Sequence, residues 1–318
     1  MSNKERYTEW AAGQSDLPIF LQPWWLEAVC AGKHWDVLLC ERDGEIAGAM
    51  PYLYRKRLRM RYVLMPQQTQ LGGMWVDRAR LDEAESICSD LVAQLDALGL
   101  SYYYQQYAPY SPFPNILSSK GFTVRERVTY RVEDLSDLDE VVRHFSKNKR
   151  RQLQKAQNAG LLAAHDMSAE AFYRFHARCM WEQGKDISYS REFLLVLERK
   201  AARLGQCRIV TIQDAQGEVH AAAFLVWDSR LLYYLIPCFS PKHKDSGAGA
   251  LLVLEAMRLA RELNRSFDFE GSMRPGIANH YRQFGSAPTL YYSVEKYYNR
   301  LFHIMAFINR IRNLRYRF

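Results

Sequence analysis

The feature that most narrows what this chain can fold into is a succession of elements written twice. Residues 34–54 (HWDVLLCERDGEIAGAMPYLY) and 206–227 (QCRIVTIQDAQGEVHAAAFLVW) each run an apolar strand into a turn holding Gly-Glu, at Gly44-Glu45 and Gly217-Glu218. A branched residue follows (Ile46, Val219), then a run of small and apolar residues. Glycine after Asp or Gln suits the positive-φ position of a hairpin, and β-branched flanks suit strands. Each hairpin leads to a third strand (62–65, 231–238), an amphipathic helix (82–98, 248–263) and another short strand (101–106, 266–270). The two Gly-Glu turns lie 173 positions apart. A shared order of elements at long spacing marks a tandem duplication. The expectation is an α/β (α+β) chain with a mixed, largely antiparallel sheet flanked by helices in each half, over residues 1–135 and 136–318.

The second half is expected to carry extra helices. Residues 137–145 repeat apolar positions at helical spacing, and Ser146 and Ser168 are placed to cap helices running to 159 and 181. A further helix is expected over 191–204. The segment 296–315 alternates Leu301, Ile304, Phe307, Ile308 and Ile311 with arginines, an amphipathic basic helix that would dock on its own protein, a membrane surface or RNA.

Composition excludes several classes. With 318 residues, 48% of them apolar, the chain has material for two packed domains, and it contains no apolar run long enough to span a bilayer. Its start, MSNKERYTEW, lacks a secretory core, so a cytoplasmic location is expected. Six scattered cysteines without a CxxC pair read as free thiols, and eight histidines without HExxH spacing give no support to a metal site. The net charge of +8 is concentrated at Tyr54–Arg61 (YRKRLRMR), Lys147–Arg151 (KNKRR) and the arginines from Arg300 onward. Such clusters favour an anionic partner through counterion release, although each is also compatible with a solvated basic face. No motif points to DNA.

Two segments carry candidate chemistry. Lys244-Asp-Ser246-Gly247-Ala248-Gly249 lies between a strand and an apolar helix. There glycines would let a backbone approach an anion, and the helix N-terminus would offer it free N–H groups. The second segment is Phe267-Asp268-Phe269-Glu270-Gly271-Ser272, followed by Arg274-Pro275-Gly276 and His280-Tyr281-Arg282-Gln283-Phe284-Gly285. Asp268 and Glu270 are read as facing opposite ways at a strand end, one to the core and one to a groove. Glu270 is the candidate to take a proton from an amine. His280, Tyr281 and Arg282 follow closely enough to share its pocket, and Arg274 or Arg282 would hold a phosphate or carboxylate. Ser272 and Trp25 are further substrate-binding candidates, with Trp24, Arg55–Arg61 and Gln67-Gln68-Thr69-Gln70 as a possible acceptor lining. The alternatives are that the acids cap loop N–H groups, the arginines are surface pairs, and the tryptophans and Tyr233-Tyr234 pack a core.

These motifs resemble a known family. The KxxGxG loop is similar to the Gln/Arg-x-x-Gly-x-Gly/Ala loop with which GNAT acyltransferases wrap the pyrophosphate of a CoA thioester, with Lys244 in place of Gln or Arg. The fDfxGS strand end, the Gly-Ile and Phe-Gly that follow, and HFSKNKRRQLQKAQNAGL at 144–161 resemble the Fem-like group of the GNAT superfamily, the peptidoglycan interpeptide-bridge aminoacyltransferases and their relatives. The stretch Phe20–Trp25 resembles the start of that family. The resemblance implies tandem GNAT-like halves and transfer of an acyl or aminoacyl group to the amine of an anionic acceptor, such as a cell-wall precursor. It leaves the donor as acyl-CoA, used as a co-substrate, or aminoacyl-tRNA. The lysine that Fem enzymes place in Phe-Lys-x-x-Phe-Gly corresponds to Tyr281, with a cation displaced to Arg282. That departure tilts the reading toward the thioester, and Lys33 is a candidate for the family's nucleotide-sugar grip. The competing class is a non-catalytic polyanion or RNA binder that stacks bases on Tyr102-Tyr103-Tyr104 or Tyr291-Tyr292.

Overall fold

The computed structural model describes residues 1–30, 34–57, 59–109, 113–299 and 303. Lys33 and the expected basic helix after residue 300 therefore lie outside the described residues. The chain divides into two units. The first holds Met1–Gln14, Phe20–Arg127 and the chain from Tyr291 onward; the second holds Ser15–Ile19 and Val128–Leu290.

The first unit begins with α1 (Asn3–Ala12), opened by a capping box between Ser2 and Glu5, and α2 (Pro23–Val29), which starts on a proline. The hairpin β1 (Trp35–Arg42) and β2 (Glu45–Arg57) turns at Asp43 and Gly44, both at positive φ (54° and 82°), as its strand twist requires. β3 (Met60–Leu64), β4 (Trp75–Val76), α3 (Ala84–Ala97), β5 (Tyr102–Tyr107) and α4 (Pro114–Ser119) follow. β6 (Thr123–Val132) begins in this unit and ends in the next.

In the second unit come α5 (Leu138–His144), α6 (Lys147–Asn158), β7 (Leu162–Ala164), α7 (Ala169–Trp181) and α8 (Arg191–Arg203). The side chains of Ser146, Ser168 and Ser190 cap the last three helices, the first two as expected from sequence. Then come β8 (Cys207–Gln213), β9 (Val219–Trp227), β10 (Leu231–Phe239), α9 (Ala248–Glu262), β11 (Ser266–Asp268), α10 (Pro275–Arg282) and β12 (Ala287–Tyr297).

Seven elements thus recur in order: β1, β2, β3, α3, β5, α4 and β6, then β8, β9, β10, α9, β11, α10 and β12. The pairing recurs with them. β1–β2–β3 and β8–β9–β10 are antiparallel, while β3–β5 and β10–β11 are parallel. Antiparallel partners finish the strand set of each unit, but they are exchanged: β12 completes the first unit on β5, and β6 completes the second on β11. In each unit the strand pairing is mixed and mostly antiparallel. In the second unit α9 lies on the sheet with almost every apolar side chain buried, and it joins Phe145, Leu153, Phe267, Phe269 and Phe284 in one core.

Candidate active site

The site is built where β10 and β11 part. Parallel pairing holds only from Leu231–Ser266 to Tyr233–Asp268, after which β10 continues to Phe239 while β11 stops. A bulge between Tyr233 and Ile236 displaces β10 against β9 at the same level. Just beyond the last pair lie two buried polar atoms with no hydrogen-bond partner, Tyr234 Oη and Glu270 Oε1. Native interiors rarely leave such groups unmatched, and where they do, a site that expects a ligand is one explanation.

Asp268 is fully buried and anchors this end. One of its oxygens accepts from Thr129 Oγ1 and from the Glu270 N–H (2.7 Å), and the other pairs with Arg131 Nε at 2.6 Å, itself 1% exposed. Glu270 then takes φ 63° and Gly271 φ 68°. A Cβ on Gly271 would stand 2.5 Å from the Val128 carbonyl oxygen, so only glycine fits against β6. This turn corrects two expectations. The strand ends at Asp268 rather than at 270. Residues two apart on a regular strand also share a face, so it is the left-handed turn, not strand alternation, that separates the core acid from its neighbour. Glu270 is half-buried, and burial together with the Asp268 carboxylate pushes its carboxyl well above the usual range. A glutamate at positive φ is strained, a conformation that persists where its surroundings enforce it.

Tyr281 stacks on Phe269 with ring centroids 4.5 Å apart, which brings α10 onto β11. Burial, then Glu270 and Asp268, push its phenol up to about 12. His280 packs edge-on to Phe284 and approaches Lys149 of α6, Nδ1 to Nζ, at 3.2 Å. Arg282 is exposed over the Tyr130 ring, and Arg274 is exposed at the start of α10, its N–H donating to Ser272 Oγ. The structure therefore gathers Glu270, Tyr281 and His280 around one aromatic cluster and leaves both arginines at its margin.

The loop before α9 is held by His243, whose ring stacks on His220 at 3.7 Å, and by Ser246 Oγ, which accepts from the Ala248 N–H. Gly247 caps the helix at φ 84°. A Cβ there would stand 2.1 Å from the Gln152 carbonyl oxygen of α6. The approach that demands glycine at 247 is thus a neighbouring helix, a reason different from the ligand contact read from sequence. Gly249 lies against Phe239, and Lys244 is exposed.

Trp25 is elsewhere. It is fully buried in the first unit, donates from Nε1 to Thr69 Oγ1 and packs on Phe20 and Trp24, so it leaves no ring face for a substrate and takes the core role left open above. Next to Thr69 in the sequence, Gln70 is 8% exposed and both its side-chain amide atoms lack partners. Sequence reasoning missed Arg131 and Lys149. Nothing local flags Arg131, whose partner is 137 residues away. Lys149 was legible: it stands four and seven positions before Leu153 and Ala156, the buried face of α6. Among the described residues no His, Cys, Asp and Glu grouping fit for a metal occurs, and no helix is long and apolar enough to cross a membrane.

Comparison with known proteins agrees with this architecture. Residues 125–282 match the acetyltransferase (GNAT) domain family. No curated protein matches the sequence. Among solved structures, FemX is similar over 95% of this chain and 98% of its own, at 14% identity and a TM-score of 0.72. The C-terminal domain of a putative lysylphosphatidylglycerol synthetase from Agrobacterium fabrum is similar over 92% and 91%, at 13% identity and a TM-score of 0.58. A tandem GNAT protein from the clavulanic acid biosynthesis pathway is similar over 92% and 94%, at 11% identity and a TM-score of 0.53. Residues 125–282 thus match a GNAT acetyltransferase domain, and the chain as a whole shares its fold with FemX.

Proposed function

We propose that the second unit transfers an acyl group from a CoA-type thioester to the amine of an anionic acceptor. The observation that carries this reading is Glu270: strained, with one oxygen sealed and unpartnered, at the point where β10 and β11 separate. In the reaction the amine nitrogen attacks the thioester carbonyl and the C=O π pair moves to oxygen. The Glu270 carboxylate takes the proton that nitrogen releases. The C–S bond then breaks as the carbonyl re-forms, and the thiolate leaves to be protonated. A carboxyl whose proton affinity is raised by burial suits such a shuttle, which typically contributes about 10²–10⁴-fold. The helix start at Gly247–Gly249, with Lys244 at the loop surface, would face the carrier's phosphates, and the exposed Arg274 and Arg282 would meet an anionic acceptor.

Transfer from aminoacyl-tRNA is the second reading, favoured by the likeness to FemX; against it stands Tyr281 where that resemblance expects a lysine. Peripheral membrane contact through the basic C-terminal segment and a cell-envelope acceptor belong to either reading. The test is donor-dependent stabilisation and transfer: saturating acyl-CoA should raise the melting temperature and release free thiol when an amine is supplied. No shift with acyl-CoA, together with turnover from aminoacyl-tRNA, would reverse the donor assignment. Steeply salt-dependent RNA binding with neither activity would favour the non-catalytic binder.

A further inference from the structure

Lys149 is a buried ammonium with an unusual set of neighbours. It is 5% exposed, and its Nζ lies 3.2 Å from Gln152 Oε1, 3.2 Å from His280 Nδ1 and 4.8 Å from the centre of the Phe284 ring. No carboxylate stands within ion-pairing distance of it among the described residues. Burial lowers its pKa, and it is held by neutral acceptors and a ring face alone.

The consequence falls on His280. An ammonium has donors and no lone pair, so the ring nitrogen facing it must be the acceptor. A carboxylate at Nδ1 would do the reverse, placing the proton there and freeing Nε2 as a base. Burial, then the Lys149 charge, lower His280 to about 4. Tyr281 and Phe284 hold the ring edge-on at 5.9 and 5.3 Å. Around it, α6 presents Lys149, α10 presents Tyr281 and the chain just after α10 presents Phe284; Tyr281 in turn packs on Tyr130 of β6 and on Phe269 just after β11.

We propose that Lys149 is a positioning residue that locks His280 as the neutral Nε2–H tautomer, a hydrogen-bond donor to the oxygen that becomes negative during acyl transfer. No proton leaves His280; the carbonyl oxygen accepts its N–H hydrogen bond as the π pair arrives, as in other oxyanion sites. The purpose of the couple rests on the acyl-transfer reading, but its geometry does not.

The test is ¹⁵N NMR of the imidazoles in the full chain from about pH 4.5 to 8. His280 should show an unprotonated Nδ1 throughout and no titration at the ordinary histidine value. Lys149→Met should move the midpoint up by about one unit or more and populate the Nδ1–H form, whereas Lys149→Arg should retain the original tautomer. A wild-type Nδ1–H tautomer, or an ordinary midpoint, overturns the proposal even if Lys149→Met fails to fold. In turnover, Lys149→Met should lower kcat about 10–100-fold with donor KM unchanged. The deficit should shrink as pH falls, because imidazolium carries N–H on both nitrogens. A change in KM alone, or a pH-independent deficit, contradicts the role. The stated tautomer in a protein that transfers no acyl group would support the couple and remove only the reading of function.

Discussion

The two copies share strand order and pairing sense, yet they finish the same junction differently. In the first, β3 stops at Leu64 and the chain returns to bridge Gly72 to Tyr107, so the space beside β5 is filled by backbone. Gln106 stands three residues past the buried Tyr103, as Glu270 stands three past the buried Phe267. Its carbonyl accepts from Gly72 N at 2.6 Å and its amide donates to Tyr104 Oη at 2.9 Å. Beside it Tyr103, Gln105 and Tyr107, all buried, close a hydrogen-bonded set with the Pro51 carbonyl. In the second copy β10 runs on past β11, and Tyr234 Oη and Glu270 Oε1 are unmatched. The first copy ties its strand ends together and leaves the Gln70 amide unmatched on the returning loop, whereas the second leaves a tyrosine hydroxyl and a carboxyl oxygen unmatched where its strands part. The helix starts differ in parallel: α3 is preceded by a 3₁₀ turn (Arg78–Glu83), whereas α9 opens directly on a left-handed glycine.

The sharpest way to break this contrast is chemical. Glu270→Gln should lower acyl transfer by about 10²–10⁴-fold while the protein still folds, and Gln106→Glu should leave transfer within a few-fold of wild type. Equal losses would erase the distinction between the copies. Next in size is Gly247→Ala, which sets a Cβ against the Gln152 carbonyl at a left-handed position and should destabilise by about 3 kcal/mol or more in denaturant titration. Gly217→Ala, at φ 78° but in open space, should lose only about 1 kcal/mol. One substitution should change sign between copies. Tyr103→Phe breaks bonds to Gln105 and Tyr107 and should destabilise by about 1 kcal/mol, whereas Tyr234→Phe removes an unmatched hydroxyl and should be neutral or stabilising by a similar amount.

A smaller effect follows from linkage. Burial raises the folded pKa of Glu270 above its unfolded value. Its contribution is therefore fully present below the unfolded carboxylate range and is lost as pH rises toward the folded value. Glu270→Gln should gain melting temperature relative to wild type between about pH 4 and 7, with no difference below that window. A constant difference would mean that the carboxyl ionises at no extra cost.

The duplication was legible because hairpin turns and helix caps are local: Gly44, Gly217, Ser146 and Ser168 do in the structure what their spacing predicts. The exchange of β6 and β12 was not, since strands of either parentage satisfy the same ladder. Around the site, the acids and α10 were visible as a motif, but their arrangement depends on distant partners. Arg131 and Thr129 fix Asp268 from across the sheet, and Lys149 reaches His280 from another helix. Gly247 was recognised as special, yet the close approach that demands it comes from α6.

The central claim, that the second copy alone meets the activated carrier, is open to amide hydrogen exchange on the full chain with and without saturating acyl-CoA. The account predicts slowed exchange across Lys244–Leu251 and the turn at Glu270–Gly271, with residues 64–84 of the first copy unchanged. Protection confined to the first copy, or none in either, would contradict it.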